Sequence, residues 1–177
     1  ASTAGHLMHC HLPYLEALHH LNYHITACVN EESQIPYTDA VAVIPFQKQI
    51  TSIENVKNVV RVDRLLKREQ YDAISVHTTL AALIVRAAVM LLPKNNRPKV
   101  FYTCHGYLFG RTGGIGRWKY LLPEKLCASA TDVLMVMNHE DWQLASAHKL
   151  YNQKTGKIYK IPGMGVNFSR FDYTQSK

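Results

Sequence analysis

Three observations assign this chain to the α/β class, with a mostly parallel sheet layered between helices. Short apolar segments alternate with longer segments of helical period from residue 24 to residue 162. Three of the short segments, AISVH, KVFYTCH and DVLMVMN, finish on a polar residue: His77, His105 and Asn138. Hydrophobic residues make up 47% of the 177 residues, enough for one domain with its own core.

The opening ASTAGH reads as the tail of a strand running into a turn, so the first strand is largely missing. A helix follows from His9 to Leu21, with Pro13 an ill-suited residue near its start. HITACVN (24–30) and AVAVIP (40–45) are strands. Ser52 is the expected cap of a helix reaching Gln70. On it Val56, Val59, Val60, Leu65 and Leu66 are expected inward, and Lys57, Arg61, Arg64, Lys67 and Arg68 outward. AISVH (73–77) is a strand, and Thr78 then caps the apolar helix LAALIVRAAVMLL, which has to be buried. KVFYTCH (99–105) is the next strand. A glycine-rich loop, 106–117, leads to a helix over 118–130. A strand over 132–138, a helix over 140–150 and a strand over 157–162 complete the pattern. Neither an internal repeat nor a low-complexity segment is present.

The net charge is +7, which favours anionic partners: nucleic acid, nucleotide phosphates or an acidic lipid surface. Cys10, Cys28, Cys104 and Cys127 have no paired spacing, so the expectation is a reducing cytoplasm without disulfides. No apolar run is long enough to span a bilayer and nothing at the start resembles a signal peptide.

In a parallel sheet the carboxyl ends of the strands share one edge, where open α/β proteins bind ligands. Helix N-termini point at the same edge and suit phosphate. His77, His105 and Asn138 are therefore expected to converge there, beside Gly5 and His6. Gly106, directly after His105, lets backbone amides approach an anion. The plainer reading is that the histidines only bond backbone at strand ends. The dinucleotide fingerprint, the P-loop and the G-x-S-x-G elbow are all absent. His6, His9, Cys10 and His11 are dense, yet no carboxylate or distant cysteine pair completes a metal site, so neither metal nor cofactor is expected. The loop GYLFGRTGGIGRWKY interleaves aromatic residues with Arg111, Arg117 and Lys119. That mixture suits a membrane interface or a lipid-linked anion, single-stranded nucleic acid, or simply a loop whose hydrophobes tuck inward.

Taken together, these segments resemble the N-terminal domain of glycosyltransferase family 4, closest to its bacterial capsular and exopolysaccharide branch. The matching stretches are AGHLMHCHLPYLEALHHLNYHITAC, SIENVKNVVRVDRLLKREQYDAISVHTTLAAL, KVFYTCHGYLF, PEKLCASATDVLMVMNHEDWQLA and IPGMGVNFSRF. The resemblance implies one half of a two-domain fold with facing Rossmann-like halves. Residues 1–177 would be the N-terminal, acceptor-side domain, with the nucleotide-sugar domain and its paired glutamates not among them. The implied reaction is transfer of a sugar from a nucleotide-sugar to a lipid-linked saccharide in polysaccharide biosynthesis.

By the same resemblance His105 is the cleft histidine that contacts the transferring sugar, and Gly5 lies in the loop that approaches the donor diphosphate. His6, His11, His77, Glu124 and Asn138 line the cleft. Arg111, Arg117 and Trp118 belong to a membrane or acceptor loop. Nucleic acid is not an implied partner; the inner face of the cell membrane is. Thr79, His139 and Asn167 depart from the family's pattern. The chain alone is expected to be inactive. The competing expectation is a stand-alone α/β module that binds an anion or a membrane surface without catalysis. An NAD-dependent enzyme is a weaker third option, opposed by the missing fingerprint.

Overall fold

A computed structural model describes residues 3–47, 49, 52–111, 113–163 and 165, so Asn167 and the rest of the closing segment lie outside the described residues. The elements, in order, are α1 (Ala4–Cys10), α2 (Leu12–His20), β1 (Thr26–Val29), β2 (Ala40–Val43), α3 (Ile53–Glu69), β3 (Ala73–His77) and α4 (Thr79–Leu91). They continue with β4 (Lys99–Cys104), α5 (Leu108–Arg111), α6 (Gly116–Cys127), β5 (Val133–Val136), α7 (His139–His148) and β6 (Lys157–Lys160). This is the alternating α/β arrangement of a Rossmann-like sandwich.

Every strand pairing is parallel. β3, β4, β5 and β6 form one sheet in sequence order, while β1 and β2 form a separate two-stranded sheet. Because each strand runs the same way, the carboxyl ends of β3, β4 and β5 open on one edge. His77 pairs with Thr103 and Cys104 with Val136, which sets His105 and Asn138 just beyond that edge.

The main core fills the space around the four-stranded sheet. Val76, Val100, Tyr102, Cys104, Leu134 and Val136 from the strands meet Ile84, Ala88 and Val89 of α4. A smaller core joins Ala4, Leu7 and Leu15 of the first two helices to Ala27 and Val29 of β1.

The structure corrects the sequence reading in four places. Residues 4–10 are helix rather than strand tail, because Thr3 caps them: its hydroxyl accepts from the His6 amide at 3.2 Å. Gly5 consequently sits in the first turn of α1, not in a loop. The single helix expected from His9 to Leu21 is two. Proline cannot donate to the preceding turn, so the chain breaks at His11 and Pro13 falls in the first turn of α2.

On α3, Val56 and Val60 face solvent; the buried side carries Asn55, Asn58, Val62, Asp63 and Leu66. The two asparagines are inside because the segment after β2 needs partners. Asn58 donates to the Pro45 carbonyl at 3.0 Å, and Asn55 bonds the backbone of Gln47 and Gln49. Lastly, the stretch after His105 is not one long loop. Tyr107 and Phe109 are buried, and α5 and the start of α6 occupy much of it.

Candidate functional site

Four imidazoles from three parts of the fold meet at the carboxyl edge of the large sheet. His77 is the last residue of β3 and His105 follows β4. His6 lies on α1, and His11 occupies the break between α1 and α2. The ring centroids of His11 and His77 are 3.9 Å apart, those of His6 and His11 5.0 Å, His6 and His105 5.5 Å, and His77 and His105 5.7 Å. His105 Nε2 and His77 Nδ1 are 3.5 Å apart, and the other His77 nitrogen is 3.1 Å from Ser75 Oγ.

Burial is the largest cause holding the basicity of these rings down, and for His11, His77 and His105 the positive charge that neighbouring imidazoles would carry adds to it. His11 drops to about 4 and His77 to about 2. His6 and His105 are lowered too, again chiefly by burial. All four are neutral at physiological pH, so each offers one N–H and one lone pair. They can bond sugar hydroxyls or phosphate oxygens. Among the described residues no carboxylate is hydrogen-bonded or ion-paired to any of them, so the cluster offers no carboxylate nucleophile.

Thr78, next to His77, has φ +67° and ψ 142°, a rare backbone conformation for a β-branched residue. Strain of that kind collects at functional sites. Among the described residues its Oγ1 is buried without a partner, as are His6 Nε2 and His11 Nε2.

Other expected residues sit elsewhere or do other work. Asn138 caps α7: its Oδ1 accepts from the Asp141 amide at 2.7 Å and its Nδ2 donates to Asp141 Oδ2 at 2.6 Å. Asp141 Oδ1 in turn accepts from the Tyr107 amide at 3.0 Å, so the cap fixes the chain just after His105. The reciprocal spacing N-x-x-D was legible in the sequence as a cap, and Asp141 was missed. Gly106 has φ +118°, a conformation that favours glycine, and lets the chain turn away from β4.

Glu124, expected in the cleft, is instead in the core. Its carboxylate accepts from Arg86 at 2.8 Å and from the Tyr102 hydroxyl at 3.2 Å, all three being fully buried. Its place is set by the one charge on α4, Arg86, which needs a buried counter-ion.

Arg117 donates to His148 Nε2 at 2.8 Å and leans over the Phe109 ring, so it faces the domain rather than solvent. Trp118 is exposed. The side chain of Arg111 lies outside the described residues. Among the described residues no group of three or more His, Cys, Asp or Glu is arranged to hold a metal ion.

The sequence falls within a known family model. That model, glycosyl transferase 4-like, matches residues 1–137, which takes in all four histidines. A Bacillus subtilis (strain 168) protein described as a glycosyltransferase, EpsD, is 28% identical over 172 residues, covering 97% of this chain and 44% of EpsD. The UDP-Gal:alpha-D-GlcNAc-diphosphoundecaprenol alpha-1,3-galactosyltransferase of Escherichia coli is 29% identical over 125 residues, covering 70% of this chain and 31% of that enzyme. The chain thus spans less than half the length of either relative.

Proposed function

Because this chain belongs to the glycosyl transferase 4-like family, we propose that it forms the acceptor-side half of an enzyme that moves a sugar from a nucleotide-sugar to a lipid-linked saccharide. The single observation behind this reading is the cluster of His6, His11, His77 and His105 at the edge where open parallel sheets bind ligands. The relatives' names support sugar transfer, and one of them names a diphosphoundecaprenol-linked acceptor.

Under this reading His105 is the catalytic residue of this half. Exposed at the rim of the cluster, it hydrogen-bonds the transferring sugar. Donor phosphate lies near the backbone at Gly106, and His6, His11 and His77 line the cleft behind it. A facing domain holds the base and ribose of the donor. Neither half alone then achieves near-attack geometry with a stabilised leaving diphosphate, so this half alone is inactive. The enzyme works at the cytoplasmic face of the membrane, with α6 toward the lipid: Ile115, Trp118, Leu122 and Leu126 are exposed along its outer side beside Lys119 and Lys125.

The test is His105→Ala in the full-length enzyme, assayed for transfer to a lipid-linked acceptor. The expected outcome is a fall in kcat of about a hundredfold or more with circular dichroism unchanged, since an exposed imidazole contributes little packing. Undiminished turnover would remove His105 from the mechanism.

A further inference from the structure

Among the described residues, three buried polar atoms at the carboxyl edge of the large sheet lack a partner: His6 Nε2, His11 Nε2 and Thr78 Oγ1. Leaving such a group unpaired costs about 1–3 kcal/mol, so their gathering at one place calls for a ligand. His11 is only 4% exposed. The same place holds the N-terminus of α4, thirteen residues long, whose first amides lack intrahelical partners. Hydroxyl, amides and imidazoles together describe a receptor for a phosphate-type anion.

A neutral imidazole suits that ligand poorly on one side. Each ring has one N–H to give and one lone pair that repels an anion's oxygen. In the pair His77–His105 the nitrogens 3.5 Å apart can share only one proton between them. Adding a proton turns a repelling lone pair into a donor.

Resting on the reading above, we propose that His6, His11, His77 and His105 form a proton-coupled diphosphate site, in which binding of the anion draws a proton from solvent onto the cluster. The driving force is electrostatic: without the anion, burial of the rings, with repulsion among His11, His77 and His105 and their neighbours, disfavours the charged form, and an adjacent negative charge opposes that.

Among the described residues, no charge opposite to a protonated cluster is bonded to it. On α1, His9 Nδ1 is bonded to the Gly5 carbonyl at 2.7 Å, and Cys10 is a free thiol beside it. On α2, the Tyr14 ring lies 6.4 Å from His11, while Glu16 accepts from the Tyr37 hydroxyl at 2.9 Å. On α4, Arg86 is paired with Glu124, which also holds Tyr102 of β4. The Cys104 thiol of β4 is pushed up to about 12 by burial and stays neutral. On α7, Asp141 is held by Asn138 and the Tyr107 amide. None of these groups supplies a charge that would already protonate the cluster.

The probe is dimethyl diphosphate, a diester that mimics the donor's diphosphate and does not itself titrate in the neutral range. Calorimetric titration of the full-length enzyme in two buffers of different ionisation enthalpy reads the protons exchanged. The expected result is uptake of about one proton per bound diester, with affinity rising up to about tenfold per unit fall in pH. Replacing His11 and His77 by glutamine should lower the uptake and flatten the pH dependence. In spectra of ¹⁵N-labelled histidine, the diester should raise a cluster titration midpoint.

Binding with no buffer dependence and no pH dependence, or no binding at all, would overturn the proposal. Proton-independent diester binding in an enzyme that still transfers sugar sinks the coupling and spares the transfer reading. Proton-coupled binding in an enzyme that transfers no sugar to any acceptor does the reverse.

Discussion

Arg86 is the one charge on an otherwise apolar helix, and the chain has buried it completely. Each of its three guanidinium nitrogens donates a hydrogen bond. Nε donates to the Ala82 carbonyl at 3.0 Å, one terminal nitrogen to Thr131 Oγ1 at 3.2 Å, and the other to Glu124 at 2.8 Å. Its carbon also lies 4.2 Å from the centre of the Tyr102 ring. Removing one partner leaves the other as an uncompensated buried charge, which costs about 3–5 kcal/mol. Glu124→Gln should therefore lower the unfolding free energy by about 3 kcal/mol in urea titration, whereas the joint change Arg86→Met with Glu124→Leu should cost less than either alone. A Glu124→Gln protein of unchanged stability would contradict this account. The sequence showed an apolar helix with one arginine and, thirty-eight residues later, a glutamate. Nothing local joined them, because ion pairing across a core depends on which helix faces meet.

Helices α3 and α6 show the limit of reading an element by hydrophobic period alone. On α3 the valines at 56 and 60 are outside while two asparagines are inside, because a neighbouring segment's backbone required hydrogen-bond partners. On α6 the inner side is Leu121, Glu124 and Cys127, and the outer side is the more apolar one. Ile115 is 91% exposed and Trp118 56%, with Leu122 and Leu126 continuing the stripe. No helix among the described residues is long and apolar enough to cross a membrane. A stripe of this kind, flanked by Lys119 and Lys125, suits the plane of an anionic bilayer. Co-sedimentation with vesicles containing anionic lipid should weaken by about an order of magnitude in Trp118→Ala, the loss of one exposed aromatic anchor. Arg117→Glu, by contrast, should act mainly through the lost contacts to His148 and Phe109. Unaltered sedimentation of Trp118→Ala would argue against α6 as the membrane face.

At the scale of the whole molecule, the histidine cluster links folding to pH. Its rings bind protons less readily folded than unfolded, His11 falling to about 4 and His77 to about 2 from an unfolded value of about 6.5. Below about pH 6.5 the unfolded chain therefore holds more protons, and stability is lost as pH falls. The slope is up to about 1.4 kcal/mol per unit for each such histidine. Urea midpoints measured between about pH 7 and pH 5 should fall steeply, and His11→Gln should flatten that fall; an unchanged slope in the variant would refute the assignment. The α/β class, the parallel pairing and the shared edge of His77 and His105 were already determined by the sequence by itself, because strand and helix periods and the order of elements are local properties of the chain. So was the family resemblance, through strings of residues that recur at fixed spacing. His6 beside that edge was expected as well, and the cap that Asn138 makes with Asp141 is local, three residues apart. Tertiary structure alone decided that the His11 ring packs 3.9 Å from that of His77 and that Glu124 lies in the core with Arg86. Those outcomes depend on how separate elements pack: the break at His11 turns one ring onto β3, and a buried arginine claims the glutamate. Such competition for partners is settled only when distant segments meet.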